Sequence, residues 1–144
     1  MSGLKPTSTN PTKPPPSEGA ERRTRRSEDT ITALHYQLSA ARTAGKLEAL
    51  VLVDDRGCLV AGAGAWPTCE ELAAYAPFLA DAAATSALDQ GSRIAELSAD
   101  VVVKTLPIGP AEALLASRGG GEHRAAAMTR AAVGCRRILL MAAA

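Results

Sequence analysis

The sequence predicts an α+β domain in which a five-stranded antiparallel sheet combines with three helices in the order α-β-β-α-β-β-β-α. Three observations predict this fold class. Apolar residues recur at helical spacing in three segments. Short runs rich in Val, Leu or Ala lie between those segments, and Gly, Pro or Asp separates the runs as turns require. The 144 residues suffice for one domain with one modest core.

Composition limits both the core and the partners. Hydrophobic residues make up 47% of the chain but aromatic residues only 3%, so small aliphatic side chains are expected to form the core and to let helices pack closely. Residues 1–26 carry six Lys or Arg against two acids, whereas residues 27–144 carry ten against thirteen. Because phosphate binding needs a basic face, nucleic acid is excluded as a partner of the core.

Cysteine usage and hydropathy indicate a cytoplasmic protein. Three cysteines occur without a CxxC pair, and no apolar leader of the signal-peptide type precedes them. No apolar run reaches the length of a membrane-spanning helix.

Residues 1–26 are predicted to be a disordered arm, rich in Pro, Ser and Thr, that ends in a basic cluster. Four charges specify little, so the cluster is either a solubilising tail or an attractor for an anionic membrane, nucleic acid or an acidic protein face. The folded domain is expected to span residues 27–144. The cluster consists of Arg22, Arg23, Arg25 and Arg26.

The first helix is predicted to begin at Ser27, which offers an N-cap oxygen and is followed by two acidic residues. Gly45 is the expected left-handed residue at its end. The apolar stripe of this helix consists of Ile31, Leu34, Leu38 and Ala41.

A β-hairpin is expected next, with strands Leu47 to Asp54 and Cys58 to Ala65 joined by an acidic turn that ends at Gly57. Gly62 and Gly64 remove side chains from the second strand and allow a neighbouring element to approach it. They lack the third glycine and the lysine of phosphate-binding loops, so no nucleotide site is predicted.

The second helix is predicted to begin at a capping box formed by Thr68 and Glu71, with a kink at Pro77. Three β-runs follow, Arg93 to Ser98, Asp100 to Ile108 and Glu112 to Arg118. A third helix is expected over residues 122–140. The apolar stripe of the second helix is Leu72, Tyr75, Ala76, Leu79 and Ala83, and that of the third is Met128, Ala132, Cys135 and Leu139.

The segments LEALVLVDDRGCLVAGAG, TCEELAAYAPFLADAA and VVVKTLPIGPAEALLASR resemble the first hairpin, the second helix and the closing strands of the roadblock/dynein light chain family. The likeness covers roughly residues 28–140. It implies a roadblock- or profilin-like domain without cofactor that forms homodimers or heterodimers. It also implies a non-enzymatic role, in which the domain regulates or scaffolds a Ras-like small GTPase or a related complex, as bacterial members do beside a polarity GTPase.

We therefore expect a homodimer formed through the second helix and the edge strand Cys58 to Ala65, with a small GTPase or a similar protein as second partner. Trp66, at the corner after this strand, is either a core residue or an exposed anchor. The candidate interface residues are Cys58, Val60, Gly62, Gly64, Trp66, Leu72, Tyr75 and Leu79.

Two other functions compete with this hypothesis. A GAF-like or profilin-like sensor would enclose a small molecule. An enzyme would use Cys69, whose place in the first turn of a helix favours thiolate, or the pair Asp54 and Asp55, which the turn itself explains. The two histidines lack partner ligands at metal-site spacing, so no metal site is predicted.

Overall fold

The computed structural model describes residues 18–81 and 99–143. These residues form three helices and four strands, and the strands make one antiparallel sheet in the order β2-β1-β4-β3. The α+β class is confirmed, but the four strands do not match the five expected. The elements are α1 (Glu18–Gly45), β1 (Leu47–Val53), β2 (Leu59–Ala63), α2 (Trp66–Ala80), β3 (Val101–Ile108), β4 (Ala111–Gly119) and α3 (Arg124–Ala143).

Two predicted segments lie wholly or partly outside the described residues. The run Arg93 to Ser98, predicted to be the additional strand, is not among them, nor are residues 1–17 of the predicted arm. The rest of that arm, residues 18–26, is helical, so the boundary expected after residue 26 falls inside α1.

The predicted start of the first helix at Ser27 is therefore wrong. Arg and Glu have high helix propensity, which lets the helix extend over the basic cluster. The hydroxyl of Thr30 donates a hydrogen bond of 2.8 Å to the carbonyl of Arg26, a bond that spans Ser27 along the helix. Ser27 is thus an interior residue of α1 rather than its cap.

The end of α1 also differs from the prediction. Gly45 belongs to the helix, and Lys46 takes the left-handed conformation with φ of 54°. Gly45 is required for a different reason, because a Cβ at this position would lie 2.5 Å from the Cβ of Ala127 in α3. The glycine therefore allows the two helices to approach each other.

The core lies in two layers, one on each face of the sheet. Alternate side chains of β1 point to opposite faces, which is why one strand serves both layers. On one face α1 and α3 pack against the sheet, and the buried residues of this layer include Leu34, Leu38, Leu50, Leu52, Leu115, Met128 and Cys135. On the other face α2 covers residues that include Ala49, Val51, Val53, Cys69, Leu72 and Ala116.

The capping box predicted for α2 is wrong as well. The helix begins at Trp66, its N-cap residue Ala65 makes no side-chain cap, and Pro67 lies in the first turn, where a missing N–H costs nothing. Glu71 instead forms an ion pair of 3.4 Å with Arg118 of β4. The helix passes Pro77 and ends at Ala80, so Ala83 lies outside the described residues.

Within the described ranges, none of the helices is both long enough and apolar enough to cross a membrane.

Candidate protein-interaction surface

The helix α2 is apolar on both of its sides. Its inner side, which includes Cys69, Leu72 and Ala76, is buried against the sheet. Its outer side exposes Trp66 and Phe78, with 53% and 51% of their surfaces accessible. Large exposed aromatic side chains are typical of protein interfaces. The outer side of α2 is therefore the strongest candidate for a binding surface.

Trp66 is held at the corner between β2 and α2. Gly64 makes this corner with φ of 120°, and a Cβ at Gly64 would lie 2.6 Å from the carbonyl oxygen of Glu48. Only glycine tolerates both constraints. The corner directs Trp66 outward, so between the two alternatives that the sequence left open, core residue or exposed side chain, the structure selects exposure.

The strand β2 lies at one edge of the described sheet. Its register against β1 shifts between Leu59 and Ala61, which leaves Val60 as the extra residue of a β-bulge. The Nδ1 of His35 in α1 lies 3.0 Å from the carbonyl oxygen of Gly62, and because a carbonyl can only accept, His35 donates this bond. A strand that pairs with β2 at Gly62 would have to share this carbonyl oxygen with His35 or replace the His35 bond.

Different sides of α2 face different strands of the sheet, which determines where the predicted interface residues of this helix point. Cys69 contacts β2, where its thiol lies 3.6 Å from the carbonyl oxygen of Ala63. Glu71 faces β4 instead, and Tyr75 and Leu79 follow Glu71 at intervals of four residues on the same side of the helix. Tyr75 and Leu79 thus point away from the β2 edge.

One predicted interface residue is not available to a partner. Leu72 has none of its surface exposed, because it packs into the core between α2 and the sheet. The prediction that Leu72 belongs to the interface is therefore wrong, because an apolar stripe marks the buried side of a helix and not the side that a partner contacts. The predicted interface residues that do not belong to the apolar stripe of α2 lie along β2 and the corner after it, and they are Cys58, Val60, Gly62, Gly64 and Trp66.

The thiols differ from what the sequence suggested. Burial raises the pKa of Cys69, and this effect outweighs the lowering by the nearby charge of Arg42. Burial also raises the pKa of Cys135 to about 12. The expectation of thiolate character at Cys69 is therefore wrong, because desolvation dominates over its position near a helix start. Cys58 is exposed.

The acidic turn between β1 and β2 is explained by its own hydrogen bonds. One carboxylate oxygen of Asp54 accepts bonds of 2.9 Å from the backbone N–H groups of Arg56 and Cys58. This is the Asx-turn role that favours Asp here. Within the part of the chain that the structure describes, no three His, Cys, Asp or Glu side chains come together as metal ligands.

Neither protein-family models nor curated proteins match the sequence. Among solved structures, Myxococcus xanthus MglB is similar, with a TM-score of 0.50 and 12% sequence identity over 78% of this chain and 91% of that chain. At this identity the likeness shows a shared fold. The roadblock-type fold expected from the sequence is thereby confirmed.

Proposed function

We propose that this roadblock-type chain is a non-enzymatic, dimeric interaction module of the cytoplasm that regulates or scaffolds a Ras-like small GTPase or a related complex. The observation that carries the proposal is the apolar outer side of α2, which exposes Trp66 and Phe78 on a fold shared with MglB. The sequence resemblance to the roadblock family supports the choice of partner.

A regulator of this kind needs a surface rather than an active site. A bound protein can stabilise the active arrangement of a GTPase's own loops without contributing a catalytic group. The burial of Cys69 and Cys135 supports this role, because their raised pKa values make both thiols poor nucleophiles at neutral pH.

We assign the homodimer contact to the β2 edge and the corner that follows it. Here the bulge at Val60, the exposed Cys58 and the outward Trp66 lie along one border of the sheet. A two-fold axis along this border would bring the two Trp66 side chains into one interface. The rest of the outer side of α2, with Phe78 and the partly exposed Tyr75 and Leu79 beside it, remains for the second partner.

Calorimetric titration with purified Ras-like GTPases of the source organism, each loaded with GDP or with a non-hydrolysable GTP analogue, tests the proposal. We expect saturable binding to one of them that depends on the nucleotide. Phe78→Ala should weaken it by at least about tenfold, as expected for an aromatic anchor. Val102→Ala, a change at an exposed apolar residue of β3 that lies outside α2, is the matched control. Equal binding by both variants would refute the assignment to α2.

A further inference from the structure

A second apolar surface lies on the opposite face of the sheet, where α1 and α3 pack side by side. Between them runs a groove of about 750 Å³, called here the α1–α3 groove. Tyr36 and Val133 line it with 75% and 62% of their surfaces exposed. Small residues of α1 in the lining, Ala33 and the exposed Ala40, let a further helix come close to the backbone of α1.

The charged residues that line this groove are all positive. The helix α3 contains four arginines and no acidic residue. Arg130 and Arg137 line the α1–α3 groove, and the surface continues along α3 to Met141, which is 71% exposed. Arg136, at the border, donates a hydrogen bond of 3.0 Å to the carbonyl oxygen of Pro107. The groove therefore favours an occupant that is apolar in the centre and acidic at its flanks.

The outer side of α2 has the complementary character. The helix exposes Glu70 here and contains neither lysine nor arginine, and Asp81 follows at its C-cap. Glu70, Ala74 and Phe78 are all exposed and follow one another at intervals of four residues. This stripe is apolar in its centre and acidic toward its ends, which is what the groove requires.

Charge selects the outer side of α2 from a second copy, because Glu70 and Asp81 lie toward its ends and Arg130 and Arg137 line the groove. A pairing of two identical grooves would bring arginines against arginines, which is unfavourable. We infer that the α1–α3 groove of one copy binds the outer side of α2 from another copy.

The contact joins two different surfaces on opposite faces of the domain. Such a head-to-tail contact propagates into a ring or an open chain of copies instead of closing as a pair. This inference goes beyond the proposed function and uses a different contact from the β2-edge dimer. It has a regulatory consequence, because a copy bound over α2 would cover Phe78 and compete with a GTPase for that helix.

Charge reversal tests the inference with the full-length chain. One variant carries Arg130→Glu and Arg137→Glu, and the other carries Glu70→Lys and Asp81→Lys. Each alone places like charges at the contact, whereas a mixture of the two restores opposite charges at both contacts. Sedimentation velocity across the micromolar range in low salt should show assemblies larger than a dimer for the wild type and for the mixture. Each variant alone should associate at least about tenfold more weakly.

The control reverses exposed charges outside both surfaces, with Lys104→Glu and Glu122→Lys, and should assemble like the wild type. Circular dichroism verifies folding, and the neutral changes Arg137→Gln and Glu70→Gln replace any variant that misfolds; they should weaken assembly less than reversal does. The inference is overturned if the wild type never exceeds a dimer or if the reversed variants assemble normally. A mixture that fails to restore assembly also overturns it, because the two surfaces would then not bind each other.

Discussion

The thiol of Cys69 packs directly over Gly62, so that a Cβ added to Gly62 would lie 3.1 Å from Sγ. This contact sets the distance between α2 and the edge strand β2. It also explains why glycine occupies position 62, which was expected to let a neighbouring element approach the strand. That element is α2, the helix that presents Trp66 and Phe78.

Replacement of Gly62 should therefore destabilise the domain. Gly62→Val places branched carbon atoms against both Cys69 and Val51, whose Cγ1 lies 3.3 Å from the added Cβ. We expect a loss of about 1–3 kcal/mol in the free energy of unfolding, the usual cost of overpacking. Urea denaturation measures it. Gly121→Ala, where a Cβ meets open space, should stay close to the wild type. Equal stability of both variants would contradict this packing.

Two glycines of the α1–α3 pair should respond differently to alanine. At Gly45 the added Cβ would meet the Cβ of Ala127, which cannot move without its helix, so Gly45→Ala should cost about 1–3 kcal/mol. At Gly134 it would meet the side-chain amide of Gln37, which can rotate away. Gly134→Ala should gain up to about 1 kcal/mol from helix propensity. Thermal denaturation measures both effects, and a melting temperature of Gly45→Ala that is not lower than that of the wild type would contradict the close packing of the two helices at Gly45.

The buried thiols predict a loss of stability in alkali. A pKa raised by folding means that the native state keeps its proton at a pH where the unfolded chain has lost it. For Cys135 the stabilisation is therefore complete below pH 9.0 and declines as the pH rises toward about 12. We expect a loss of about 1 kcal/mol between pH 9 and 10 for this group. In Cys135→Ala the slope of unfolding free energy against pH should be shallower, and an unchanged slope would argue against burial.

Thiol labelling provides a separate check on the same residues. Cys58 is exposed, whereas Cys69 and Cys135 are buried with raised pKa values. Treatment of the native protein with iodoacetamide should modify Cys58 first, and peptide mass spectrometry identifies the site. In Cys58→Ser the rapid reaction should disappear. Rapid modification of Cys69 would contradict its burial and support the hypothesis of a reactive cysteine at the start of α2.

Much of the fold was predictable because local patterns determined it. The Leu- and Val-rich runs of β1 and β3 and the stripe of Leu34 and Leu38 were located to within a residue or two. Helix starts were less predictable. Ser27 and Thr68 both offered cap signals, but high helix propensity before Ser27 and Pro67 before Thr68 moved the helix starts upstream.

The candidate surface was harder to predict than the fold. Sequence periodicity predicted which residues of α2 face the core, and it therefore selected Leu72, which is buried. Phe78 was not selected for the interface, although its position outside the stripe of Leu72 and Ala76 was the signal that could have identified it. The α1–α3 groove depends on residues nearly a hundred positions apart, and no local pattern joins Tyr36 to Val133.

The most direct test of the dimeric module is its mass in solution at high salt, where an ionic contact between α2 and the groove is screened. Sedimentation equilibrium should give about twice the chain mass of 14.8 kDa for the wild type. In Trp66→Ala, which removes the anchor at the β2 corner, the mass should fall to that of one chain. A wild-type mass of 14.8 kDa at every concentration would contradict the account and favour a monomeric sensor of small molecules.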